Sequence, residues 1–120
     1  MSAFVPAPVK PPISLDALDA VDTRVGEILA AEDVPGSGKL VRLRVSFGDH
    51  ERTILAGLKR ERDDLSVLIG LQALFVVNLE PKRMAGESSE GMLFDIGYAD
   101  GIRPVLAVPE NPVPNGSRAG

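Results

Sequence analysis

The chain has 120 residues, a formal net charge of −4, and 44% hydrophobic and 25% charged residues. That length suits one folded domain. Lack of cysteine excludes disulfides, thiolate catalysis and cysteine-ligated metals, and the acidic total argues against a generic polyanion binder.

Residues 1–12, MSAFVPAPVKPP, read as a disordered or extended proline-rich tail, with too many prolines for a signal peptide. The folded domain is expected over 13–120. ISLDALDAV opens it as a short helix capped by Ser14, with Asp16 in its first turn. Ile13, Leu15 and Leu18 give that helix a sticky side, and it is too short to stand without packing on something.

VDTRVGEILAAEDV reads as a strand with a fault in it. Val21, Thr23 and Val25 alternate, Ile28 and Ala30 take the opposite phase, and Gly26 marks the slip as a bulge or barrel corner. After the turn PGSG comes the cleanest strand, KLVRLRVSF. Val41, Leu43, Val45 and Phe47 face one way, and Arg42 and Arg44 the other. GDHE turns the chain into RTILAG. KRERDDLSVLIG is a charged connection with one helical turn at 63–68. QALFVVNL is apolar on both faces and reads as a buried central strand. MLFDIGY alternates again, RPVLAV closes the domain, and PENPVPNGSRAG ends it. Five or six short strands with frequent turns predict an all-β Greek-key barrel, with a β-sandwich as the alternative. The longest apolar-rich run, VLIGLQALFVV, has 11 residues and cannot span a bilayer as a helix. A soluble cytoplasmic protein without membrane contact is expected.

Charge is segregated along the chain. Lys39 to Arg83 holds nine basic and six acidic residues, and the remainder four and eleven. Arg42 and Arg44 share the outward side of one strand and Lys39 stands at its start, Lys59, Arg60 and Arg62 lie in the next connection, and Lys82 and Arg83 in the loop NLEPKRMAGESSEGM (78–92). Gathered on one side, they would attract phosphate oxygens and release counterions. The alternative is a solvated face in which Glu61, Asp63 and Asp64 neutralise the 59–62 cluster. Asn78 can donate to and accept from a base edge or a 2′-hydroxyl, or bond locally to the following turn. Gly86 and Gly91 permit close approach, Ser88 and Ser89 offer hydroxyls, and Met92 offers a flexible apolar surface or core packing. Phe47, Phe75 and Phe94 look core-facing, so recognition of folded RNA by backbone and shape is expected rather than threading of a single strand.

GSGK fails the phosphate-loop pattern, because Asp33 and Leu40 stand where a glycine and a Ser or Thr are required. His50 is the sole histidine and sits in a turn, and Ser89 has no base partner in the sequence. No catalytic residue, metal or cofactor is expected.

VDTRVGEI, VPGSGKLVRLRV, RTILAGL, LIGLQALFVVNLEPKRMAGESSEGM and PNGSR together resemble the tRNA-binding domain family. Its members are appended to methionyl-tRNA synthetase and to a cytokine-type synthetase cofactor, or stand free as dimers. The resemblance runs from about Ile13 to Arg118. It implies a five-stranded oligonucleotide-binding (OB) fold barrel, with a short N-terminal helix and a short helical connection between strands 3 and 4. It also implies a homodimer formed through that helix and the C-terminal extension, and non-enzymatic recognition of tRNA near its elbow and outer corner. The contacts it implies are Lys39, Asn78, Lys82, Arg83, Ser89 and Met92; the outward strand face adds Arg42 and Arg44. Gly38 departs from the aspartate common before that lysine. A second branch resembles a secretion-associated chaperone that binds unfolded polypeptide, with SEVL in place of the SEGM at 89–92. A third possible partner is an aminoacyl-tRNA synthetase served in trans.

Overall fold

One long strand organises the others. The computed structural model describes residues 4–120, and residues 1–3 of the expected tail lie outside that range. Strand β1 (Thr23–Asp33) pairs antiparallel with β2 (Val41–Ser46) along its second half, and with β4 (Gln72–Val76) along its first. β3 (Glu51–Ala56) flanks β2, and β7 (Met92–Leu93) flanks β4. The order is therefore β3-β2-β1-β4-β7. The outer edges then meet: the Glu90 N–H donates to the Thr53 carbonyl at 2.9 Å, and the Leu55 N–H donates to Ser89 Oγ at 2.9 Å. The result is a nearly closed antiparallel OB-fold barrel.

The alternation of β2 is realised in full. Val41, Leu43, Val45 and Phe47 are buried inside the barrel, and Arg42 and Arg44 point outward. Phe47 meets Phe75 edge-to-face, with ring centroids 5.6 Å apart. The phase slip in β1 falls between Ile28 and Ala30, just beyond Gly26. Gly26 serves packing instead: a Cβ there would lie 2.5 Å from Val45 Cγ1 and 2.8 Å from the Phe47 ring.

Helix α1 (Leu15–Asp19) is capped by Ser14 Oγ, which accepts from the Ala17 N–H at 3.0 Å. The connection between β3 and β4 holds two 3-10 turns, Lys59–Glu61 and Leu65–Leu68, and Asp64 caps the second by accepting from the Ser66 N–H at 2.9 Å. MLFDIGY is not one strand. Phe94 N–H donates to the Leu74 carbonyl, while Leu74 N–H donates to Ala107. With the next place along β4 taken, the chain departs after Phe94, and β8 (Asp95–Ile96) pairs with β9 (Val105–Leu106) in a separate hairpin. The C-terminal β10 (Arg118–Ala119) pairs with the start of β1, where β2 does not reach.

Candidate nucleic-acid interface

The loop 78–92 folds back as a hairpin, β5 (Lys82–Met84) and β6 (Glu87–Ser89). Its tip is Ala85–Gly86, both with positive φ (51° and 80°), the backbone sign that a tight two-residue hairpin turn requires. Besides the Leu55–Ser89 bond, two contacts fix the hairpin to the barrel. Met84 packs on the buried cluster Val34, Leu40 and Leu55. Arg42 Nε and Nη2 donate to the two Glu87 carboxylate oxygens at 2.6 Å each. That fork holds the Glu87 carboxyl below its ordinary range and raises the Arg42 guanidinium.

On one side of the hairpin lies an open cleft of about 660 Å³, lined in part by Asn78, Leu79, Lys82, Ser89 and Met92. On the other lies a cleft of about 610 Å³ that includes Lys39, Arg60, Asp95 and Tyr98. Leu55 and Met84 border both. A third opening of about 570 Å³ continues past Arg60 and Tyr98 to Arg103. The three thus form one interrupted track across a face of the barrel. A separate cleft of about 420 Å³ near Leu71 and Pro109 carries Glu27 and Glu110 but no cation, and is unsuited to phosphate.

Of the eight residues singled out in the sequence, Asn78, Lys82, Ser89 and Met92 line the first cleft and Lys39 lines the second. Lys39 and Lys82 have no ion-pair partner among the described residues. Arg83 alternates to the other face of β5 from Lys82, and its Nη2 donates to the Gly86 carbonyl at 2.8 Å. Arg42 and Arg44 are neutralised on the barrel wall: Arg42 by Glu87, and Arg44 by Glu51 at 2.5 Å. Lys59 pairs with Asp33 at 3.2 Å, and with neither Asp63 nor Asp64.

Two side chains do framework work. Asn78 Oδ1 accepts from the Asp22 N–H at 2.8 Å and its Nδ2 donates to the Ala20 carbonyl at 2.7 Å, which ties the chain after α1 to the end of β4. Ser89 is 3% exposed; besides accepting from Leu55, its hydroxyl donates to the Gly91 carbonyl at 3.1 Å. Met92 is 44% exposed and lines the first cleft rather than the core.

The sequence reading missed Tyr98. It lies 75% exposed between the second and third clefts. The available signal was its place in GYADG, an aromatic at the tip of a glycine-bracketed turn. Phe47 and Phe75 are buried as expected, whereas Phe94 is only half-buried.

Fold and clefts together define a small OB-fold barrel with an open, partly cationic groove on one face. The sequence profile of the tRNA binding domain family matches residues 23–118, and the chain belongs to that family. It is 37% identical to the methionine–tRNA ligase of Clostridium acetobutylicum over 92% of its own length, and spans 17% of that ligase. Among solved structures, a MetRS-related protein from Pyrococcus horikoshii superposes with a TM-score of 0.85 at 32% identity, covering 92% of this chain and all of that one. The chaperone CsaA from Bacillus anthracis superposes with a TM-score of 0.78 at 29% identity, with the same coverage of both chains.

Proposed function

We propose that the chain is a non-catalytic tRNA-binding protein that recognises tRNA structure as a cytoplasmic homodimer, with residues 13–120 as the binding domain. The carrying observation is the sorting of its cations. Arg42 and Arg44 on the outward face of β2 are matched by carboxylates, whereas Lys39 and Lys82 reach two adjoining clefts without an ion-pair partner among the described residues. Lys39 and Lys82 take phosphate oxygens, with Arg83 reaching the same backbone from the far side of β5. Met92 offers an apolar surface to a sugar or base. Arg42, Arg44, Asn78 and Ser89 support the interface by holding the hairpin, the wall and the seam in place.

The dimer rests on α1. None of its five residues is buried, and Ile13, Leu15 and Leu18 are largely exposed. A helix of that length needs a partner surface, and a second copy meets that need in the manner the family resemblance implies. Pairing doubles the phosphate contacts and raises avidity. Leu15→Glu with Leu18→Glu should yield a monomer in sedimentation and weaken tRNA binding; an unchanged dimer would remove α1 from the contact. The match to part of a ligase makes a synthetase served in trans a partner to seek by co-purification.

A second reading, binding of unfolded polypeptide, is favoured by the exposure of Leu79 and Met92 beside Met84 in the first cleft. A gel shift against total tRNA, with duplex DNA and an unfolded polypeptide as competitors, separates the two. For roughly four phosphate contacts the log–log salt slope should be about −3. A slope near zero, or displacement by polypeptide alone, would reject the tRNA reading.

A further inference from the structure

We propose that Tyr98, with Arg60 and Arg103, forms a subsite for one unpaired nucleotide, the base stacking on the phenol ring and its phosphate meeting a guanidinium. The inference rests on the RNA-binding reading above and adds to it a class of ligand element that the tRNA must supply.

The placement of the ring carries the inference. Tyr98 borders the second cleft together with Lys39 and Arg60, and the third together with Arg60 and Arg103. An aromatic side chain 75% exposed gives up most of the burial that normally stabilises it. Its turn is nevertheless firmly built. Gly97 and Gly101 bracket it with φ of 106° and 73°. Asp100 and Ile102 N–H both donate to the Gly97 carbonyl at 3.1 Å, and Gly101 N–H donates to Tyr98 at 3.2 Å. The Ile102 side chain covers Gly97 so closely that a Cβ there would collide with it. The Asp100 carboxylate is engaged from outside the turn by the Ala7 N–H. The ring is thus displayed from a fixed platform rather than from a slack loop.

Chemistry narrows the ligand. A free aromatic face stacks on a base whose own face is open, which an unpaired nucleotide offers and a base inside a duplex does not. Against Arg60, Arg103 and Lys39 stand Asp63 and Asp95 in the same clefts, a small positive surplus. That surplus suits about one phosphate rather than a long strand. Folded RNA with an exposed loop base satisfies both conditions; a blunt duplex satisfies only the second.

The chain contains one tyrosine and no tryptophan, so its tyrosine emission reports this ring alone. The test follows that emission in the full-length wild-type protein, corrected for RNA absorption with N-acetyltyrosinamide, while anisotropy of labelled RNA reports binding independently. Unfractionated tRNA should quench the emission as it binds, and a blunt-ended RNA duplex should not. Tyr98→Ala should weaken tRNA binding by about tenfold with the duplex unaffected, and Tyr98→Phe should restore affinity to near wild type. Anisotropy showing bound tRNA with unchanged emission, or tRNA affinity equal for Tyr98→Ala and wild type, overturns the subsite and leaves the wider reading standing. Absence of tRNA binding by anisotropy overturns both. Quenching by an unfolded polypeptide but not by tRNA assigns the ring to a peptide and overturns the nucleotide subsite.

Discussion

Arg42 and Glu87 grip each other through two hydrogen bonds of 2.6 Å, and through that grip the β5–β6 hairpin is fastened to the barrel wall. An arginine in the middle of a cationic strand face thereby becomes a positioning residue for Lys82. Glu87→Gln removes the charge and half of the fork. The expected outcome is faster hydrogen exchange across residues 82–89, with β1 and β4 still protected. Acid should act in the same way. Arg42 holds the Glu87 carboxyl below its ordinary 4.5, so the folded pKa lies under the unfolded one. The stabilisation is present above that ordinary value and is lost as pH falls through the folded value. Hairpin exchange, corrected for the intrinsic rate, should therefore rise on acidification below about 4.5 in the wild type and not in Glu87→Gln. Equal exchange in the two proteins at neutral pH would mean that Met84 and the Leu55–Ser89 bond hold the hairpin without the fork.

Free and paired cations should separate in binding. Lys39→Ala and Lys82→Ala should each weaken tRNA binding and flatten the log–log salt slope by about 0.7. The charge-neutral pair Arg44→Ala with Glu51→Ala should leave the slope unchanged, because that arginine is already matched at 2.5 Å. A slope that responds equally to all three changes would return the site to the outward face of β2.

Local pattern carried much of the fold into the sequence. The alternation of β2 assigned both its faces, and Ser14 marked a helix start that the structure caps as expected. Long-range partners were not legible. Nothing near Arg42 points to Glu87, 45 positions away, and Lys59 reaches back to Asp33 on β1. Both pairings arise only when the barrel curls. For the same reason a two-residue strand such as β10 carries no periodicity of its own; its place is set by Gly116, Asn115 and the open end of β1. Tyr98 escaped because exposure of a single aromatic is decided by the turn beneath it.

Ser89 offers a test of framework against contact. Its buried hydroxyl accepts from Leu55 and donates to Gly91, at the point where the barrel edges meet. Ser89→Ala leaves the Leu55 N–H without that acceptor in a buried place, a loss of about 1–3 kcal/mol. Urea denaturation should register that loss, while tRNA affinity of the folded fraction stays within about twofold. Unchanged stability with a large fall in affinity would instead make the hydroxyl a ligand contact.

Gly116 locks the C-terminal strand to the barrel. Its φ of 92° lies in the left-handed region, and its N–H donates to the Val25 carbonyl at 2.7 Å. A Cβ there would collide with the Phe47 carbonyl, while one on neighbouring Gly48 would lie 2.6 Å from the Asn115 carbonyl. Two backbones therefore pass each other where neither has room for a side chain. Past this crossing, Arg118 reaches Asp22 at 3.3 Å and Arg24 reaches it at 3.0 Å. Together, Arg24 first, they hold the Asp22 carboxyl below its ordinary 3.8. Gly116→Ala should cost about 2 kcal/mol or more from left-handed strain and collision. It should free β10 and let the Asp22 carboxyl rise toward its ordinary value, since Arg118 leaves while Arg24 stays. Acid unfolding tests both halves. The contribution of Asp22 is present above its unfolded pKa and fades as pH falls through the folded one, so Gly116→Ala, with less of that contribution left, should lose less further stability than the wild type as pH falls through this range. A variant with wild-type urea midpoint and a wild-type loss of stability on acidification would show that the crossing of Gly116 over Phe47 can relax at no cost, and that β10 is held by something other than this contact.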